Sequence, residues 1–87
     1  MKQDNITIIL FDIREEYLKA SEKFPPFHSG HEGYAVIYEE MDELWEEVKK
    51  YPNYDNVALR KEAIQVGAMV LRFIIDLCMN SRLSKTK

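Results

Sequence analysis

Tyr38-Glu39-Glu40-Met41-Asp42-Glu43-Leu44-Trp45-Glu46-Glu47-Val48 is the stretch whose reading decides the fold. It has the make-up of a helix, yet it carries more carboxylates than a solvated helix face requires. At about 3.6 residues per turn, Ile37, Met41, Leu44, Trp45 and Val48 share one face, which predicts packing against a core. Glu40, Glu43 and Glu47 gather on a different face, one turn apart, so their carboxylates can converge. Like charges at this spacing repel by a few tenths of a kcal/mol per pair. A bound cation would relieve that repulsion.

Two further helices are predicted on either side. From about Asp4 to Phe24, the residues Ile6, Ile9, Leu10, Ile13, Tyr17 and Ala20 recur at helical spacing, and Pro25-Pro26 stops the run. Ser29 and Glu32 have the spacing of a capping box, in which Ser29 accepts from a first-turn amide and Glu32 reaches back. The second helix is therefore expected from about Gly30 to Lys50, with Lys49 and Lys50 against the negative end of its dipole. Tyr51 to Asn56 is rich in turn residues and breaks the chain. A third helix is expected from about Val57 to Met79. Its apolar residues cover roughly 220° of the wheel, and Glu62, Gln65, Arg72 and Asp76 form one narrow polar stripe. A surface helix needs an apolar stripe about half that wide, so this one is packed on several sides. Gly67 and Ala68 would allow a close approach, placed here at a seam between subunits.

These elements predict an all-α fold of three helices. The last two form an antiparallel hairpin that makes a helical bundle with another subunit. Residues 1–80 are read as one domain and 81–87 as a frayed basic tail. With 87 residues and a single cysteine, Cys78, the chain has a small core and no internal disulfide, so oligomerisation is the expected means of completing the core. A lone thiol fits a reducing, cytoplasmic setting. The net charge of −3 argues against a nucleic-acid binder. No signal peptide or membrane span is expected, because Asp12 and Arg14 interrupt the first apolar run and Gln65, Arg72 and Asp76 interrupt the last.

Across a short break, Glu40 and Glu43 can face Glu62. Three carboxylates on rigid helices suit a hard cation with oxygen ligands, Mg²⁺ above all. Glu39-Glu40-Met41-Asp42-Glu43 followed by Glu62-Ala63-Ile64-Gln65 resembles the EExxE…ExxD signature of the MazG-like, all-alpha nucleotide pyrophosphohydrolases, over about Gly30 to Leu77. The resemblance implies Mg²⁺-dependent cleavage of nucleoside triphosphates, ribo or deoxy, to monophosphate and pyrophosphate by a homodimer or homotetramer of helical bundles. It implies Glu40, Glu43 and Glu62 as catalytic metal ligands. The chain departs from the pattern at Gln65, where the family has Asp, and at Ala68, where it often has Asn. Gln65 would ligate through a neutral amide oxygen, if at all. The alternative is a degenerate relative that keeps the bundle as a nucleotide-binding or protein-interaction module.

The remaining chemistry-bearing residues have plainer expectations. His28 and His31, at the start of the second helix, are candidates for base stacking or phosphate contact, set against a role in loop packing. Tyr38, Met41, Trp45, Met69, Met79 and Cys78 are expected in the core. Glu46 and Glu47 are expected to be solvated, and Arg72 and Asp76 to form an ion pair along one helix.

Overall fold

The computed structural model describes residues 2–79, and the basic tail at 81–87 lies outside them. The described residues form three α-helices and no strand: α1 (Lys2–Lys23), α2 (Gly30–Val48) and α3 (Asn56–Phe73). A π-helical turn, Ile74–Cys78, continues α3. The π turn is closed by Met79 N–H donating to the Ile74 carbonyl at 2.9 Å, and the third helix of the sequence reading thus ends in a wider coil.

Each boundary has a local cause. Pro25 and Pro26 cannot extend α1. Ser29 is extended at its backbone and its Oγ accepts from Glu32 N–H at 3.1 Å, capping α2. The expected reciprocal bond is displaced by one residue, since Glu32 Oε1 accepts from His28 N–H at 2.6 Å rather than from Ser29. Asp55 caps α3 by accepting from Val57 N–H at 2.9 Å. At the end of α2, Lys49 pairs with Glu46 at 3.0 Å, the solvated role expected of that glutamate. Lys50 pairs with Glu47 at 3.1 Å, but the Glu47 side chain is only 18% exposed rather than solvated as expected.

α3 is the central element and packs against both α1 and α2. This explains its wide apolar arc: two of its sides are covered within the chain. The approach at Gly67 is to α1, because a Cβ there would meet Ile13 Cδ1 at 3.1 Å. The close contact that the sequence reading placed between subunits is therefore made within one chain. A second close approach, at Gly33 of α2, has no counterpart in that reading; a Cβ there would lie 2.6 Å from the Phe73 ring.

A buried polar clasp fixes the connection between α1 and α2 onto α3. Phe27 N–H donates to Asp76 Oδ2 at 3.0 Å, and Asp76 is fully buried. Arg72, 4% exposed, donates to the Pro25 carbonyl at 2.9 Å with its guanidinium 4.1 Å from the Phe27 ring centre. Both side chains reach across the chain rather than only along their helix. The buried apolar residues are Phe27, Ala68 and Met69. Tyr38, Met41, Trp45, Met79 and Cys78, expected in the core, lie exposed on the single chain. Ile37, Leu44 and Val48, the rest of the apolar stripe on α2, are half-buried. No helix among the described residues is long and apolar enough to cross a membrane.

Candidate metal centre and adjoining cleft

Glu40 and Glu43 are one turn apart on α2, and Glu62 lies in the first half of α3. The packing of the two helices brings one carboxylate oxygen from each within 4.8 Å of the others. Oxygens on a common Mg²⁺ lie about 2.1 Å from it, hence at most about 4.2 Å apart. Small rotamer adjustments would close the trio onto one ion. Glu43 is exposed, while Glu40 and Glu62 are half-buried, so the position keeps an open side for water or substrate.

Glu40 is the least compensated member. Its Oε1 is buried and has no hydrogen-bond partner among the described residues. Burial pushes its carboxyl above the ordinary carboxylate range, and the charges of Glu43, Glu62, Glu39 and Glu16 push it further in the same direction. A buried acceptor without a donor, among like charges, is the surrounding a cation neutralises. The donor set is all hard oxygen, which fits Mg²⁺.

Glu40 also lines a cleft of about 550 Å³ between the end of α1 and the start of α2, floored by α3. This volume is within the range of small-molecule sites, about 300–1,000 Å³. Gln65, one turn after Glu62, lines the cleft beside Glu40, with Met69 and Arg72 continuing the floor. Lys19 and Lys23, on successive turns of α1, form part of the opposite wall, and Phe24 and Phe27 add aromatic surface. Lys19 is 3.6 Å from Glu16, whereas Lys23 enters none of the described ion pairs. The polar stripe on α3 is thus the face turned toward the site.

The structure brings Glu40, Glu43 and Glu62 together and puts Gln65 in the cleft that Glu40 lines. It does not bring His28 or His31 to the cleft wall. Both are exposed, with His28 Nδ1 3.8 Å from Glu32 Oε1. The α1 residues Glu16, Lys19 and Lys23 are the cleft members that sequence reasoning missed. Their i, i+3 and i+7 spacing reads as an ordinary solvated face until the placement of α1 beside α3 is known. No known protein family, curated protein or solved structure matches this chain.

Proposed function

We propose that the protein is a Mg²⁺-dependent nucleoside triphosphate pyrophosphohydrolase of the MazG-like type, with Glu40, Glu43 and Glu62 as its metal ligands. The observation that carries this reading is the convergence of three carboxylates from two helices at the edge of a cleft, one of them with a buried, unpartnered oxygen. The motif resemblance over Gly30 to Leu77 points the same way. In the reaction, water adds across the anhydride joining the α- and β-phosphates. One P–O bond forms, one breaks, and monophosphate and pyrophosphate leave.

A Mg²⁺ held by Glu40, Glu43 and Glu62 would neutralise phosphate charge and lower the pKa of a bound water. The chain's own residues supply the rest. Lys19 and Lys23 offer ammonium groups to phosphate oxygens from the α1 wall. Gln65 can hydrogen-bond a water or phosphate through its amide. Phe24, more than half exposed, offers a ring face to a base. We further propose that α2 and α3, joined by the short link 49–55, form an antiparallel hairpin that pairs with another copy in a homodimer or homotetramer.

A second reading is favoured by Gln65. An amide adds no negative charge, so a bundle that binds nucleotide without turnover, or serves as an interaction module, would also suit this cluster. Pyrophosphate release from a panel of ribo- and deoxyribonucleoside triphosphates, with and without Mg²⁺, separates the two. Mg²⁺-dependent release that the Glu40→Gln variant loses supports the hydrolase. A folded protein that binds nucleotide but releases nothing above that variant supports the second reading.

A further inference from the structure

The groove that holds the cleft does not end at Gln65. A second hollow, of about 440 Å³, lies against α1 and the first half of α3, and it shares Glu16, Lys19 and Gln65 with the cleft. α1 and α3 lie side by side in the same direction. Asp12 is 2.7 Å from Arg60 toward one end, and the Arg72 guanidinium is 5.9 Å from the Phe24 ring centre at the other. The two hollows are therefore successive stretches of one groove between these helices. The acidic trio stands beside their junction. Glu40 lines the cleft, the charge of Glu16 at the junction acts on its carboxyl, and Glu62 directly follows Lys61 on α3.

The two stretches differ in chemistry. Phe24 and Phe27 give the cleft an aromatic wall, whereas no aromatic side chain among the described residues lines the second hollow. Phe24 is eight residues beyond Glu16, about 12 Å along α1, which is room to seat a nucleoside on the cleft side of the trio. The second hollow is walled by charges instead, and most of them are matched. Asp12 holds Arg60 at 2.7 Å, Glu15 holds Arg14 at 3.2 Å, and Glu16 holds Lys19 at 3.6 Å. Lys61 lines the hollow one turn before Gln65, is exposed, and enters none of the described ion pairs. The hollow thus keeps a surplus positive charge next to one of the three glutamates. An ammonium on a flexible stem suits a mobile, multiply charged oxyanion, which it meets as a point charge.

We propose that this second hollow is the subsite for the β- and γ-phosphates, and for the pyrophosphate they become, with Lys61 as the residue that engages them. Lys19 serves both stretches, and Arg60, held by Asp12, forms the outer wall. The nucleoside then lies toward Phe24 and the anhydride that breaks lies at the trio, so the substrate runs along the groove in one direction. The assignment rests on the triphosphate-cleaving reading proposed above and adds to it the substrate's direction and the residue that reads its tail.

Calorimetric titration of inorganic pyrophosphate, and separately of a panel of nucleoside 5′-monophosphates, into the full-length protein with Mg²⁺ present tests the subsite without turnover. Pyrophosphate should bind the wild type saturably. Lys61→Gln should weaken it about tenfold, the worth of one charge-assisted hydrogen bond, and leave monophosphate binding unchanged. Lys61→Arg, which keeps the charge, should keep the affinity. Phe24→Ala should do the reverse of Lys61→Gln, weakening the monophosphates and sparing pyrophosphate. Lys61 and Phe24 are both exposed, so neither change opens the core, and circular dichroism verifies that each variant is helical. A wild type that does not bind pyrophosphate overturns the proposal. So does a Lys61→Gln variant that binds it like the wild type, or one that loses pyrophosphate and monophosphates in equal measure. If this binding pattern holds while triphosphates release no pyrophosphate, the hydrolase reading fails and the subsite stands. If release is Mg²⁺-dependent but pyrophosphate binding ignores Lys61, the subsite fails and the hydrolase reading stands.

Discussion

Glu40 has a raised carboxyl pKa because it is partly buried and faces Glu43, Glu62, Glu39 and Glu16. The consequence for stability has a definite sign. Just above the ordinary value of 4.5 the folded chain retains a proton that the unfolded chain has released. The stabilisation from that proton is full at lower pH and is lost as pH rises through the raised folded value. Glu40→Gln should therefore stabilise the metal-free protein at neutral pH by a few tenths of a kcal/mol per like-charge pair removed. The gain should disappear near pH 4. Thermal melts at both pH values check this, and with Mg²⁺ added the wild type should become the more stable of the two. Gln65→Asp adds a charge at the cleft wall and should tighten Mg²⁺ binding about tenfold, measured by calorimetry. At this scale the spacing of Glu40, Glu43 and Glu62 made the trio legible in the sequence. Lys19 and Lys23 were not legible, because their relation to the site is set by the packing of α1 and not by any local pattern.

The helices themselves were legible because their ends are marked by local chemistry: Pro25-Pro26, the Ser29 cap, and the turn-rich 51–56. Their mutual packing was less so. Gly33 and Gly67 have no sequence feature that says which helix each will meet. Ala at Gly33 forces a Cβ to 2.6 Å from the Phe73 ring, an overpacking penalty of ~1–3 kcal/mol partly offset by ~1 kcal/mol of helix propensity. Ala at Gly67 meets only the flexible tip of Ile13 at 3.1 Å. Denaturant unfolding should find Gly33→Ala destabilised and Gly67→Ala close to neutral. The clasp from α3 to the α1–α2 connection was also hidden, since Arg72 and Asp76 read as partners along one helix. Asp76→Ala strands the buried Phe27 N–H and should lower stability by about 2–3 kcal/mol. It should also loosen the Phe24–Phe27 wall of the cleft, seen as faster amide exchange at Phe27.

Taken whole, the described chain is an arrangement of helices around α3, with carboxylates, lysines and the Phe24 and Phe27 rings along the cleft and exposed apolar side chains on both α1 and α2. The sequence showed that α3 is apolar over too wide an arc for a surface helix. It could not show that α1 and α2 already cover two of its sides. Tyr38, Met41 and Trp45 fit a core-facing stripe by periodicity, and only the structure shows them exposed. The acidic trio Glu40, Glu43 and Glu62 at the edge of the cleft is proposed to hold a divalent cation. Calorimetric titration of Mg²⁺ into the metal-free wild type and into Glu40→Gln, Glu43→Gln and Glu62→Gln tests it most directly. The account predicts saturable binding at the trio in the wild type, weakened at least tenfold in each variant while the far-ultraviolet circular dichroism is unchanged. Binding that is absent from the wild type, or equal in all four proteins, would contradict it.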